Sequence, residues 1–192
     1  MTTYRLHSTN YPKYRAAYEN LAARLREQRI QAKDALVEWV RDRMLNRRMA
    51  HDGRYCAVTL TCKQARKNAA GGLEVLTRDT LSATIGKFLT LLSKDALGKA
   101  YRRHHRQLKV VTAIETGAGG RLHAHLLLEV PRRFDGEPQT FFDSVEKLWT
   151  SLQWARPRID VKQCTDVGGW ASYISKEMLK NPDAIDFLNL HL

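Results

Sequence analysis

Cysteine is scarce in this chain of 192 residues: Cys56, Cys62 and Cys164 are the whole supply, and no two form a Cys-x-x-Cys pair. An odd count without such pairs argues against a disulfide framework and against a cysteine-based structural zinc site, leaving three reduced core thiols. Glycine and proline are also sparse, at 11 and 5, which argues against collagen-like and low-complexity architectures. No apolar run approaches the ~18–20 residues of a membrane span. Residues 1–15 lack the apolar core of a secretory signal. The expectation is a cytoplasmic protein with no membrane partner. The chain does have a core to bury, with 43% hydrophobic residues. Its length suits one domain, or one domain with an extension.

Acidic side chains are the other shortage. Twenty Asp+Glu stand against 32 Lys+Arg, for a formal net charge of +12. A surplus of this size points to a polyanionic partner, because each phosphate neutralised releases condensed counterions. Nucleic acid leads, with plain solubility as the alternative. The surplus is uneven: residues 1–110 hold 23 basic and 9 acidic side chains, +14, whereas residues 111–192 hold 9 and 11, −2.

From about Tyr11 to Met49, apolar residues recur at helical steps (Tyr14, Tyr18, Leu21, Leu25, then Leu36, Trp39, Val40, Met44). Arg15, Arg24, Arg26, Arg41, Arg47 and Arg48 lie between them and suit a phosphate backbone or a solvated face. The break at His51-Asp52-Gly53 divides the chain into a basic helical N-terminal extension, residues 1–52, and a second unit, residues 53–192. Tyr55–Cys62 alternates as a first strand with one buried face. A polar loop through Gly71-Gly72 leads to an amphipathic helix over Thr77–Arg106, whose C-terminal end carries the densest basic run. Strands are predicted at Leu108–Glu115 and Leu122–Val130 around a Gly-rich turn. A helix over Gln139–Trp154, a strand over Arg158–Cys164 and a helix over Asp166–Leu179, with Asp166 as N-cap, complete the order β-α-β-β-α-β-α. That is an α+β, ferredoxin-like antiparallel sheet with helices on one face, plus a terminal helix.

Strand alternation makes chemistry available. In Leu122-His-Ala-His-Leu126, His123 and His125 project from one side, about 6.5–7 Å apart at the backbone. A hairpin centred near Gly119 sets Glu115 opposite His123, with Cβ atoms about 4.5–5.5 Å apart. Two imidazoles and a carboxylate suit Mg²⁺, Mn²⁺ or Zn²⁺ with positions left open. His104 and His105 form a poorer set, since adjacent helical residues point about 100° apart. On the last helix Tyr173 and Lys176 are i, i+3 neighbours. A phenol beside a cation and a metal can act as a nucleophile, and an amphipathic helix with a tyrosine at its core edge is the alternative.

These residues resemble the HUH endonucleases, and within them the single-tyrosine rolling-circle replication initiator (Rep) proteins. The resemblance covers about residues 54–180. His123-Ala-His125 followed by aliphatics looks like the histidine–hydrophobic–histidine motif, with Glu115 preceding it by a spacing seen in that family. Tyr173-Ile-Ser-Lys176 looks like the Tyr-x-x-Lys motif, and Ala57–Thr61 is compatible with the first-strand motif.

The resemblance implies a nickase of single-stranded DNA that depends on Mg²⁺ or Mn²⁺. His123, His125 and Glu115 would hold the metal, Tyr173 would form a 5′-phosphotyrosine, and Lys176 would assist. The product's free 3′-OH can prime rolling-circle replication. The implied partner is DNA, a single-stranded nick site with an adjacent hairpin or duplex, and host replication proteins are a second candidate class. Arg102, Arg103, Arg106, Lys109, Arg47, Arg48 and Lys63 are the expected nucleic-acid contacts. Glu177 stands four residues after Tyr173, so a paired tyrosine is absent, and no Gly-x-x-x-x-Gly-Lys-[Ser/Thr] loop appears. A transposase or relaxase with the same chemistry is the nearest alternative. A noncatalytic nucleic-acid-binding module is the rival from another class, and its open face would offer little for base stacking beyond Tyr55.

Overall fold

Alternating strand formers and two amphipathic helices assemble as their pattern requires in the computed structural model, which describes residues 11–45 and 54–191. Arg47, Arg48 and the break at residues 51–53 lie outside the described residues. The elements are α1 (Tyr11–Leu45), β1 (Tyr55–Thr61), β2 (Ala65–Lys67), β3 (Leu73–Val75), α2 (Arg78–Leu97) and α3 (Lys99–His104), then β4 (Val110–Thr116), β5 (Leu122–Glu129), α4 (Pro138–Thr150), β6 (Asp160–Cys164) and α5 (Val167–Ser175). A 3-10 turn, Lys176–Leu179, continues α5.

The main sheet has the order β4-β5-β1-β6, and every neighbouring pair is antiparallel. Counting only these four strands, the spatial order is second, third, first, fourth. That is the ferredoxin-like arrangement expected of the sequence.

One face of the sheet packs on α2 and α4. Val58, Leu60, Ile114, Leu126 and Leu128 meet Ile85, Phe88, Leu92, Phe141, Val145 and Trp149 there. Phe88 and Trp149 meet edge to face, with centroids 5.6 Å apart. The other face has its own cluster, in which Tyr55, Ala57, Val111, Ala113 and Leu127 lie under Val167, Ala171 and Ile174 of α5. Helix α1 backs α5 through Leu36, Val37 and Val40. Helices therefore cover both faces, and β1, expected to bury one, has Tyr55 and Ala57 buried as well as Cys56, Val58 and Leu60. A strand that alternates small and apolar residues tolerates this second cover. All three cysteines are free and buried, and burial pushes the Cys62 thiol up to about 12.

Four local departures have physical causes. Helix α2 starts as expected, with the Thr77 hydroxyl accepting from Thr80 N–H, but the predicted single helix divides at Gly98, whose φ of +51° an L residue rarely adopts. The basic run consequently lies on a separate helix, α3. The loop at residues 62–77 contains the β2–β3 hairpin, whose three-residue strands are too short to show alternation. Helix α4 ends at Thr150, and α5 tightens to a 3-10 turn at Lys176. In α1, Leu21 and Leu25 are exposed despite their helical spacing, because this part of the helix extends past the body on which Val40 docks. The side chains of Tyr14, Tyr18 and Met44 lie outside the described residues.

The edge strand β4 does not face solvent bare. The C-terminal segment runs along it, with Asp186 N–H donating to Thr112 O at 2.9 Å and Val110 and His191 exchanging backbone bonds at 2.7 and 2.9 Å. Covering an edge in this way blocks pairing with another chain.

Candidate metal and nucleophile site

Register places the ligands. Glu115 pairs with His123 and Ala113 with His125 across β4 and β5, while Thr61 and Thr59 oppose the two histidines from β1. The 117–121 turn lets the hairpin close in this register. Gly119 and Gly120 sit at φ +70° and +73°, and a Cβ on Gly117 would stand 3.2 Å from His123 Cε1. The side chain of His123 therefore packs against a backbone that only glycine leaves open.

Glu115 Oε2 lies 3.6 Å from His123 Nε2 and 3.5 Å from His125 Nε2. One ligand atom from each of the three residues lies within 4.8 Å of the other two. His125 Nδ1 and Thr59 Oγ1 are 3.1 Å apart, an outer partner that orients the ring and directs Nε2 inward. Glu115 Oε1 and His125 Nε2 are buried without a hydrogen-bond partner. Orphaned buried polar atoms are costly, and here they converge on one point, so the donor set fits a divalent cation. Magnesium and manganese favour such mixed oxygen and imidazole sets with open positions.

Electrostatics agree with that fit. Burial holds His125 down at about 4, with His123 and Lys176 adding to the effect, so its imidazole is neutral and ready to coordinate at neutral pH. Burial also raises the Glu115 carboxyl above its usual range, and the Lys176 ammonium works against that rise. A bound cation would offset the cost of ionising Glu115.

Helix α5 brings the second half of the site. Asp166 caps it as expected, accepting from Gly169 N–H at 2.8 Å. Trp170 anchors the helix to the sheet by donating from Nε1 to Leu126 O at 3.3 Å. Its ring stacks on Tyr173, with centroids 5.0 Å apart and planes 20° apart, and Tyr173 in turn meets the His125 ring edge-on at 5.3 Å. Lys176 Nζ sits 3.6 Å from the centroid of the Tyr173 ring and 3.9 Å from Glu115 Oε2. Tyr173 is 41% exposed, whereas the Glu115 and His125 side chains are each 6% exposed. A half-exposed phenol thus stands at the mouth of a nearly buried ligand set.

Glu115, His123, His125, Tyr173 and Lys176 come together as the sequence predicts. Lys63 lies at the same end of the sheet, where β1 ends. Arg102, Arg103, Arg106 and Lys109 lie at the opposite end, beyond the start of β4. At ~3.4 Å per residue, that is about 20 Å along the strand from Glu115. Sequence reasoning missed Trp170 as a site residue, taking it as part of an apolar stripe, and missed Thr59 as the partner of His125. Thr59 carries no signal, since its partner is 66 residues away. Trp170 has only its i, i+3 spacing to Tyr173, which any apolar stripe shares.

A ferredoxin-like sheet carrying a metal-competent Glu–His–His set beneath a helix-borne tyrosine defines the class. A family model for the replication-associated protein ORF2 matches residues 55–182, more than half of the chain, and the chain belongs to that family. The match begins at β1 and ends beyond α5, omitting α1. No curated protein and no solved structure matches the chain. Among the described residues, no helix is long and apolar enough to cross a membrane.

Proposed function

We propose that the protein is an HUH-type endonuclease and strand transferase that nicks single-stranded DNA and thereby initiates rolling-circle replication. The observation that carries this reading is the placement of Tyr173 and Lys176 over the Glu115–His123–His125 set, with Lys176 Nζ within 4 Å of both the phenol ring and the carboxylate. A metal-binding protein without nuclease activity has no use for a half-exposed tyrosine at that mouth.

Tyr173 Oη attacks the scissile phosphorus. An O–P bond to tyrosine forms, the P–O3′ bond breaks, and the phenol proton is balanced through solvent by protonation of the departing 3′ oxygen. The products are a 5′-phosphotyrosine and a free 3′-OH. The phosphodiester's energy is conserved, so the reverse attack rejoins strands without ATP. Lys176 lowers the cost of the phenolate and opposes the charge that gathers on the phosphate. Trp170 holds the phenol's orientation by stacking. A divalent ion held by Glu115, His123 and His125 would supply Lewis-acid polarisation of the phosphate. Residues 53–192 form the nuclease unit in this reading, and residues 1–52 a basic extension whose α1 braces the tyrosine helix.

Incubation with Mn²⁺ and single-stranded oligonucleotides from the replicating element, followed by denaturing gels, tests the reading. The expected result is a protein–DNA adduct that Tyr173→Phe abolishes. An undiminished adduct from that variant, or none from the wild type on its cognate site, overturns it.

A further inference from the structure

The strands β1 and β4 finish, and β5 and β6 begin, at the end of the sheet that holds Glu115 and His123. Three connections leave there, residues 62–77, 117–121 and 151–159. Together they carry Lys63, Arg66, Lys67, Arg121, Arg156 and Arg158 against one acid, Glu74. Arg66 takes that acid at 2.7 Å. Among the described residues, Lys67, Arg121, Arg156 and Arg158 are exposed and have no acidic partner.

These cations are held in fixed relation to the ligand set. The Gln64 carboxamide bonds Leu122 through both of its ends, accepting from Leu122 N–H at 2.8 Å and donating to Leu122 O at 2.9 Å, one residue before His123. The Arg66 guanidinium lies over the Trp154 ring, 4.9 Å from its centroid, and Lys63 N–H donates to Trp154 O at 2.9 Å. Arg156 N–H donates to Thr61 O at 3.1 Å, and the Thr61 hydroxyl donates to Arg158 O. The hairpin, the turn and the loop therefore form one rim.

Beside that rim the sheet is open. Helix α5 covers β4 and β5, but Thr59, Thr61, Asp160 and Lys162 on the same face are half-buried or exposed, and Asp160 is engaged by Lys162 at 3.1 Å. A lane thus runs from the Trp170–Tyr173 stack over β1 and β6 to Arg158 and Arg156.

We infer that this rim holds the single strand at the nick site, with the phosphates flanking the scissile one on Arg121, Arg156 and Arg158 and the β2–β3 hairpin as a side wall. The inference rests on the reading of the site as a DNA-nicking centre. It assigns the grip to cations that the charge pattern of the sequence does not single out, rather than to the denser run on α3.

The test is binding of a mixed-sequence single-stranded oligodeoxynucleotide to the full chain in EDTA, followed by anisotropy over a range of salt. Replacing Arg121, Arg156 and Arg158 together with Ala should weaken binding on the order of 50-fold. It should also flatten the slope of log K against log salt by about 2, at ~0.7 per phosphate contact. Replacing Arg102, Arg103 and Arg106 with Ala should change affinity by less than about 3-fold. Lysine at the three rim positions should restore most of the binding, and an unchanged Mn²⁺-induced shift in Tm would show an intact site. If the triple variant fails to fold, single Arg→Gln changes at each position should read the same loss in steps. Unchanged affinity in the rim variant, or an equal loss in the α3 variant, overturns the inference. Tyr173→Phe should bind like the wild type, so a missing adduct with intact rim-dependent binding would reject the nicking chemistry and leave the rim standing.

Discussion

The two faces of the sheet bury similar strands under helices, yet they are built on opposite terms. The face under α2 and α4 is dry: Phe88, Phe141 and Trp149 are fully buried, and the cluster contains no charged group. The face under α5 buries Glu115 and His125 and leaves a polar atom of each unpaired. The first face stabilises the protein by removing apolar surface from water. The second accepts a desolvation cost at one end, which a bound cation would relieve. The contrast teaches that a single alternating strand can serve both purposes, because odd and even residues answer to different layers.

The largest expected effect breaks function on the polar face alone. Tyr173→Phe should lower adduct formation at least ~1,000-fold, the scale of losing a catalytic nucleophile, and leave the urea midpoint unchanged because the side chain is half-exposed. A shifted midpoint would mean that the tyrosine is structural.

On the dry face the roles reverse. Phe88→Ala or Trp149→Ala should cost about 3–5 kcal/mol in urea unfolding, with the loss independent of metal. A loss that Mn²⁺ rescues would blur the division between the faces.

Metal removal separates them next. Saturating Mn²⁺ should stabilise the protein by about 3 kcal/mol at ~100-fold excess over Kd, and EDTA should reverse it. His123→Ala and Glu115→Gln should each lose most of that gain. In EDTA, Glu115→Gln should be at least as stable as the wild type, since it removes a buried carboxylate whose ionisation burial disfavours. A destabilised Glu115→Gln without metal would mean that the carboxylate is held by protein contacts.

The smallest effect is in pH. His125 is depressed to about 4 in the folded protein, below its unfolded value of about 6.5. The unfolded state therefore takes up its proton first as pH falls. The contribution of His125 to stability is fully present above about pH 6.5 and is lost towards pH 4. In EDTA, the stability of His125→Ala should fall less steeply than that of the wild type over this window. Parallel slopes would show that burial does not govern this imidazole.

Much of the site was legible because β-structure has a period of two. His123 and His125 had to share a face, and the Gly-rich turn fixed the register that set Glu115 beside them. The i, i+3 spacing of Tyr173 and Lys176 was equally local. The Thr59–His125 bond, the Trp170–Leu126 bond and the Gln64 clasp on Leu122 were not legible, since they join residues 66, 44 and 58 positions apart through packing that no repeat signals. The β2–β3 hairpin escaped notice because three residues cannot display a period.

The sequence by itself determined the strands, the ligand trio, the helix with its tyrosine and the family, since each depends on local spacing or on motif order. Only the tertiary structure decided that α5 lies on the histidine face, that α1 braces it, and that the cations beside the site are those of scattered loops. Charge density along a chain is a sum over neighbours in sequence. The potential at a phosphate is a sum over neighbours in space, and folding alone chooses those.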